Sequence, residues 1–243
     1  MAFGLEALVD QVWPRVCEFC ARPVDRPGRH VCADCLMRVP FMPPKGCCRR
    51  CGRDAAGLDV DFLCEDCRGA HRPYFDRAAT AVRFEGAARQ AVLDYKFNRH
   101  LWLRADFVDW LEAALLAHYD VPSVDVVLPV AITRWHRYNR GFSQTADLAR
   151  ALAARIDRRY DGRVLVRVGR HIRRQSSLDE EARRENVKNT IAVRHAEAVR
   201  GRTVLVVDDI MTTGATLSET ARVVKEAGAA RVWCVAVARS VRS

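Results

Sequence analysis

Four Cys-x-x-Cys pairs give this sequence its clearest chemical signal. Each pair can direct two thiolates at one metal ion, and two pairs complete a tetrahedral zinc site. The eight candidate ligands are Cys17, Cys20, Cys32, Cys35, Cys48, Cys51, Cys64 and Cys67. Eleven residues separate Cys20 from Cys32 and twelve separate Cys51 from Cys64, intervals that suit zinc ribbons. The spacing predicts two structural zinc ions with no open coordination position.

The sequence leaves the pairing of these cysteines open. Successive pairs can share an ion, or the arrangement can be interleaved, with the first pair joining the third. Cys47 directly precedes Cys48, so the register of that pair is also open. Four thiolates on Zn²⁺ leave a net charge of about −2, and we expect Arg49, Arg50 and Arg53 to offset it.

A second candidate site lies near the C-terminus, where the apolar run 204–207 leads into two acids and a turn rich in threonine and glycine. A strand that runs into the N-terminus of a helix gathers unpaired N–H groups and the positive end of the helix dipole, which makes an anion site. Asp208 and Asp209 would repel an anion, so we expect them to face sugar hydroxyls or a cation. The pattern Thr216-Leu-Ser-Glu219 predicts a capping box at the helix start.

Positive charge is concentrated in one segment of the chain. The formal net charge is +10, and residues 131–174 alone carry 12 Arg against 3 Asp. Trp135, Tyr138, Phe142 and Tyr160 are interleaved with these arginines. Basic side chains follow a phosphodiester backbone, and exposed aromatic rings can stack on unpaired bases. The segment predicts a surface for a polyanion, with single-stranded DNA as a candidate.

Composition and hydropathy exclude several classes of protein. The longest uninterrupted apolar run, 232–238, has seven residues, well short of the roughly 18 that a transmembrane helix needs. The N-terminus lacks the basic start and apolar stretch of a signal peptide. Nine of the ten cysteines fall between Cys17 and Cys67, and without a secretory signal such clustering favours metal over disulfides. We expect a folded, cytoplasmic protein without a transmembrane segment.

The sequence divides at about residue 73. Residues 1–73 combine a predicted amphipathic helix over 3–13 with the cysteine-rich stretch, whose few apolar residues cannot form a core alone. In residues 74–243, strands are predicted over 80–84, 124–128, 164–168, 203–207 and 232–238, and helices over 86–97, 102–118, 142–157 and 217–227. This alternation predicts an α/β domain with a mostly parallel sheet and helices on both faces.

The segment from Val204 to Thr216 resembles the ligand-binding motif of the type I phosphoribosyltransferase family. The resemblance implies that the acids hold the ribose 2′- and 3′-hydroxyls of phosphoribosyl pyrophosphate, accompanied by Mg²⁺, and that the turn holds its 5′-phosphate. The implied ligand-binding residues are Asp208, Asp209, Thr212, Thr213, Gly214 and Thr216. The family also implies a pyrophosphate loop after residue 128 and a lid over 170–186. Candidates for binding pyrophosphate or a DNA backbone are Lys96, Arg134, Arg137 and Arg140.

Zinc ribbons ahead of such a domain resemble the ComF competence-protein family of the ComFC/GntX type. Arg140-Gly-Phe-Ser-Gln144 is similar to that family's Arg-Gly-Phe-Asn-Gln, with Ser143 in place of Asn. Gln175-Ser-Ser-Leu178 and Arg183-Arg-Glu-Asn-Val187 match a second signature. Tyr95-Lys-Phe97 is similar to a Leu-Lys-Tyr element, whereas Arg99-His100 replaces the usual Gly-Arg. The resemblance implies a double zinc-ribbon module followed by a type I phosphoribosyltransferase-like domain.

The same resemblance implies a role in handling single-stranded DNA during natural transformation or in the use of DNA as a nutrient. Its implied partners are a competence helicase and other DNA-uptake proteins. Two alternatives stay open: an active phosphoribosyltransferase of unknown acceptor, and a regulator that senses phosphoribosyl pyrophosphate without turnover. Purine enzymes of this family generally use an Asp where this chain has Thr212. A hydroxyl cannot act as a base at neutral pH, which argues against a purine acceptor and leaves the catalytic residues unidentified.

Overall fold

The computed structural model describes residues 15–54, 62–69, 72–131, 143–168 and 187–240. The helix predicted over 3–13, the lid segment 170–186 and the arginines Arg134, Arg137 and Arg140 lie outside these residues. Within the described ranges the chain forms seven strands and six α-helices, joined in places by short 3₁₀ and π turns.

A parallel sheet forms the centre of the fold. The strands are β1 (Arg77–Arg83), β2 (Val126–Pro129), β3 (Arg159–Tyr160), β4 (Leu165–Arg167), β5 (Ile191–Val193), β6 (Thr203–Met211) and β7 (Arg231–Arg239). Five of them form the sheet in the order β1-β7-β6-β2-β3, and β4 and β5 form a separate antiparallel pair. The residues of β6 and β7 are almost all buried, as expected for a parallel sheet covered on both faces. The predicted α/β class is confirmed.

Helices cover both faces of this sheet. The α-helices of the described ranges are α1 (Ala33–Leu36), α2 (Glu65–Arg68), α3 (Gly86–Leu93), α4 (Arg104–His118), α5 (Gln144–Arg155) and α6 (Ala215–Glu226), of which α1 and α2 belong to the cysteine-rich region. Helix α4 packs on β1 and β7, and α5 on β2 and β6, in a core layer that contains Leu111, Leu148 and Val235. Helix α6 belongs to a second core layer that contains Leu217 and Cys234. Because side chains alternate along a strand, Cys234 and Val235 enter opposite layers.

Three elements differ from the sequence prediction. The strand predicted over 164–168 is β4, which pairs with β5 instead of joining the main sheet, where the two-residue β3 takes the edge. The strand predicted over 203–207 continues to Met211, because its pairing with β7 continues to the end of that strand. The helix predicted over 86–97 ends its α-helical part at Leu93 and continues as a π turn over Asp94–Asn98. Strands of two or three residues are too short to produce a recognisable hydrophobic period.

The cysteine-rich region packs against β1, which is the edge strand opposite β3 in the sheet. The Met42 amide donates to the Ala81 carbonyl at 2.8 Å, and the Ala78 amide donates to the Arg50 carbonyl at 2.6 Å. Gly52 has φ +68°, and a Cβ atom there would lie 2.6 Å from the Ala78 carbonyl oxygen, so this approach requires glycine. The region therefore covers backbone groups that an edge strand otherwise exposes.

The predicted division at residue 73 falls between the cysteine-rich region and β1, and its position stays a prediction. None of the helices in the described ranges is long and apolar enough to cross a lipid bilayer.

Candidate functional site

The eight cysteines of the Cys-x-x-Cys pairs form two four-thiol clusters. In each cluster all four Sγ atoms lie within 4.8 Å of one another. The clusters are Cys17, Cys20, Cys32 and Cys35, and Cys48, Cys51, Cys64 and Cys67. The Sγ–Sγ distances are 3.8 Å between Cys20 and Cys32 and 3.7 Å between Cys51 and Cys64. A tetrahedral zinc ion with Zn–S bonds of about 2.3 Å requires sulfur atoms about 3.8 Å apart. Both clusters therefore fit a Zn(Cys)₄ centre, and the pairing is sequential.

Backbone amides support the thiolate form of the ligands. The amides of Phe19 and Cys32 each donate to Cys17 Sγ at 3.4 Å, and the Cys64 amide donates to Cys48 Sγ at the same distance. Cys47 has a different environment, because its thiol donates to the Pro43 carbonyl at 3.3 Å. The ligand of the second cluster is therefore Cys48.

Two of the three arginines expected to offset the charge of the clusters also have other partners. Arg53 forms an ion pair with Asp66 at 2.6 Å, and Arg50 donates to the Pro73 carbonyl at 3.1 Å. Arg239 is a further cation beside the second cluster, and its Nη2 lies 3.8 Å from Cys51 Sγ. Sequence spacing could not reveal this residue, because Arg239 is 188 positions from Cys51.

The two predicted acids lie near the carboxyl end of β6 and are buried. Asp208 and Asp209 are 9% and 7% exposed. The Asp209 amide donates to the Asp208 carboxylate at 2.8 Å, and the Ile210 amide donates to the Asp209 carboxylate at 2.7 Å. Burial, reinforced by the charge of Asp209, raises the pKa of Asp208 to about 8. The pair therefore carries less than two full negative charges near neutral pH, and its carboxyl oxygens can accept hydrogen bonds from two vicinal hydroxyls.

Lys96 forms an ion pair with one of these two acids. Its ammonium group lies 2.6 Å from Asp209 Oδ2. Lys96 lies in the π turn after α3, where the buried Asp94 accepts hydrogen bonds from Gln90 and Asn98. The Gln144 side chain donates to the Lys96 carbonyl at 2.7 Å. The turn thus brings a lysine that is distant in sequence to the carboxyl end of β6.

Two departures from the family signatures have local structural roles. Ser143, in place of Asn, caps α5 by accepting a hydrogen bond from the Ala146 amide at 3.2 Å. Arg99, in place of Gly, has φ +61° and ends the π turn in the left-handed conformation. A non-glycine residue in that conformation costs about 1–2 kcal/mol, which neighbouring contacts have to offset.

The threonine- and glycine-rich turn leads directly into α6. Gly214 is the N-cap residue with φ +78°, and the Thr213 hydroxyl accepts a hydrogen bond from the Ala215 amide at 3.3 Å. Thr212 is exposed. The left-handed glycine gathers the first N–H groups of α6 a few residues after the acidic pair, in the arrangement that favours an anion.

The predicted capping box is wrong. Helix α6 begins at Ala215 without a side-chain cap, so Thr216 lies inside its first turn. Glu219 instead accepts a hydrogen bond from the Asn189 amide at 2.7 Å and forms an ion pair with Arg222 at 2.7 Å. The positive φ of Gly214 starts the helix earlier than a serine or threonine cap at position 216 would.

Two further features of this region give no signal in the sequence. Burial lowers the pKa of Arg167, against the opposing charges of Asp208 and Glu219, and no described group bonds to its buried Nε atom. Beside the first cysteine cluster, Glu18, which follows the ligand Cys17, pairs with His100 Nδ1 at 2.6 Å and accepts a hydrogen bond from Trp102 at 3.0 Å. The positions of Arg167 and Glu18 match no sequence motif, because their contacts depend on residues that are distant in the chain. The arginines expected in the pyrophosphate loop lie outside the described residues.

We predict that Cys48→Ala removes one of the two metal ions per chain, whereas the neighbouring change Cys47→Ser removes neither. The first change deletes a ligand, and the second keeps a donor for the Pro43 carbonyl. Zinc per chain, measured by mass spectrometry on variants whose circular dichroism shows native secondary structure, checks this. Equal zinc contents in the two variants would contradict the assignment.

Comparisons with known proteins agree with both parts of this architecture. The family described as "Double zinc ribbon domain" matches residues 8–68, and "Phosphoribosyl transferase domain" matches residues 139–242. "DNA utilization protein YhgH" of Escherichia coli O6:H1 is 27% identical over 229 residues, which cover 91% of this chain and 96% of that protein. "Competence protein F" of Haemophilus influenzae is 23% identical over 217 residues, with coverages of 86% and 90%.

Among solved structures, adenine phosphoribosyltransferase from Rhodothermus marinus is 21% identical, with a TM-score of 0.38 over 58% of this chain and 70% of that one. The chain combines a cysteine-rich ribbon region with a parallel α/β domain. Each part matches a family model, and the two relatives align with nearly the whole chain. The matched domains and the relatives support a ComF-type protein, with a double zinc ribbon followed by a phosphoribosyltransferase domain.

Proposed function

We propose that the chain binds phosphoribosyl pyrophosphate together with Mg²⁺ at the carboxyl end of β6. The observation that carries this proposal is the buried pair Asp208 and Asp209, held next to a left-handed glycine that opens a helix. A buried pair of acids is expensive to keep unless it has a ligand or a partner to compensate for it. Here the anion site and the acids are only a few residues apart, as a phosphorylated sugar requires.

Each part of the site suits one part of that ligand. The first N–H groups of α6 and the hydroxyls of Thr212, Thr213 and Thr216 suit the 5′-phosphate. The carboxyls of Asp208 and Asp209 suit the two ribose hydroxyls. Lys96 supplies a positive charge within 2.6 Å of Asp209, close to where the pyrophosphate would leave the sugar. When bound, Mg²⁺ would offset the charge of the pyrophosphate.

The site supports binding more strongly than it supports a particular transfer reaction. Transfer to a nucleobase needs a group that takes a proton from the incoming nitrogen. Thr212 has only an exposed hydroxyl in the turn, which argues against a purine acceptor. Two outcomes are consistent with the site: transfer to a non-purine acceptor, and sensing of the sugar phosphate without turnover. Pyrophosphate release with a panel of acceptors separates them.

We expect Asp208→Asn and Asp209→Asn each to weaken binding of phosphoribosyl pyrophosphate by about tenfold or more, because a hydrogen bond to a charged group contributes about 1.5–3 kcal/mol. Isothermal titration calorimetry with Mg²⁺ present measures this. Asp120→Asn is the matched control, since this exposed carboxylate precedes β2 at the amino end of the sheet. Unchanged affinity in the double variant would rule out the proposed site.

A second proposed activity is binding of single-stranded DNA in the cytoplasm, as part of the uptake or use of DNA. Its support is the charge of residues 131–174, with 12 Arg against 3 Asp. The printed names of the relatives, "DNA utilization protein YhgH" and "Competence protein F", point in the same direction. A competence helicase and other DNA-uptake proteins are the partners that such a role implies. The sugar phosphate could then act as a ligand or signal on the same chain.

For DNA, we expect the triple change Arg134/Arg137/Arg140→Ala to lower affinity for a single-stranded oligonucleotide and to reduce its salt dependence. The loss of three phosphate contacts lowers the slope of log K against log salt by about 2. The control with the same charge change is Arg194/Arg200/Arg231→Ala, which removes three exposed arginines elsewhere. Fluorescence anisotropy at several salt concentrations measures both. Equal losses in the two triple variants would mean that affinity follows net charge alone.

A further inference from the structure

Three side chains form a row across the carboxyl ends of three neighbouring strands. The strand register pairs Arg83 of β1 with Arg239 of β7, and Arg239 with Met211 of β6. The second cysteine cluster packs over one end of this row. Arg83 pairs with Asp54, and Arg239 Nη1 donates to the Cys51 carbonyl at 2.5 Å. The row therefore joins the ribbon that carries this cluster to the strand that carries the acidic pair.

Arg239 is a buried cation whose counter-charge comes from the cysteine cluster. It is 4% exposed, and no described carboxylate lies within ion-pair distance of it. Its Nη2 instead lies 3.8 Å from Cys51 Sγ. A buried charge is stable only if it is paired, and neutral thiols would not supply that pairing. Four thiolates on a zinc ion leave an excess negative charge, so the environment of Arg239 suits the metal-loaded cluster.

The same guanidinium contacts the residue before the phosphate-binding turn. Arg239 Nη1 lies 3.5 Å from Met211 Sδ, and the Met211 carbonyl accepts a hydrogen bond from the Ser240 amide at 3.1 Å. Met211 also packs tightly under Gly214, because a Cβ atom at that glycine would lie 2.7 Å from Met211 Cε. Met211 is thus held between Arg239 and the residue that opens α6.

We propose that Arg239 is a positioning residue that couples the second zinc centre to the sugar-phosphate site. With zinc bound, the thiolates fix the guanidinium, the guanidinium fixes Met211, and Met211 sets the position of the Gly214 turn. Loss of that zinc leaves Arg239 without its counter-charge and loosens the turn. Because coupling between two sites is reciprocal, the sugar phosphate also strengthens the hold on that zinc ion. The proposal rests on the sugar-phosphate site proposed above.

The test compares Arg239→Met and Arg239→Lys with Arg83→Met. Arg83→Met is the matched control, since it also removes an arginine that joins the row to the ribbon but contacts Asp54 and lies on the far side from Met211. One readout is the rate at which zinc is released to a chromogenic chelator. The second is the dissociation constant of phosphoribosyl pyrophosphate with Mg²⁺, measured by calorimetry.

We expect Arg239→Met to release one zinc ion about tenfold faster and to bind phosphoribosyl pyrophosphate about tenfold more weakly. Arg239→Lys, which keeps the charge without the planar fork, should fall between this variant and the wild type. Arg83→Met should change the zinc release rate and the dissociation constant by no more than about twofold, as expected for a residue that is not coupled to either site. Equal effects of Arg83→Met and Arg239→Met on both readouts would overturn the proposal, because general docking of the ribbon would then explain them.

A measurement on the wild-type protein keeps the proposal testable if Arg239→Met fails to fold. Saturating phosphoribosyl pyrophosphate should slow release of one zinc ion and leave the other unchanged. If the wild-type protein binds the ligand but zinc release does not change, the coupling is absent. If it binds no ligand, the proposed function fails, while zinc release from the Arg239 and Arg83 variants still tests whether Arg239 holds the metal centre.

Discussion

Asp208 and Asp209 are adjacent buried carboxylic acids, and the surrounding structure has to keep them there without both carrying an uncompensated charge. Three features meet this constraint. Neighbouring amides donate to both carboxylates, Lys96 pairs with Asp209, and the pKa of Asp208 rises to about 8. The π turn places Lys96 at the end of β6, and Gln144 holds the backbone of this lysine. Both features thus bring a cation to the acids. A few residues after the acids, the left-handed Gly214 opens α6.

The cysteine clusters stabilise a region that cannot build a core of its own. They do so in contact with the α/β domain, because the ribbons pack on the edge strand and each cluster belongs to one of the two core layers. Each ribbon also contacts a residue near an element of the candidate site. Glu18 of the first cluster region bonds to His100 and Trp102, which follow the π turn, and Cys51 of the second bonds to Arg239. Metal binding and the shape of the site are therefore parts of one structure.

Much of this could be predicted from the sequence, because the informative signals are local. The four cysteine pairs, the run of apolar residues before Asp208 and Asp209 and the alternation of strands with helices each depend on short spacings. What could not be predicted depends on contacts between distant residues. Arg239 next to Cys51 and His100 next to Glu18 have no sequence pattern. Neither does the pairing of β4 with β5. The capping box failed because a left-handed glycine can begin a helix where the side-chain pattern suggests a later start.

The proposed function requires that the end of β6 and the turn into α6 hold an activated pentose. A crystal structure of the protein grown with phosphoribosyl pyrophosphate and Mg²⁺ is the decisive measurement. We expect density for the ribose hydroxyls at Asp208 and Asp209 and for the 5′-phosphate at the turn that Gly214 ends. An empty turn at saturating ligand, with Lys96 still paired to Asp209 and the ligand absent or bound elsewhere, would contradict it.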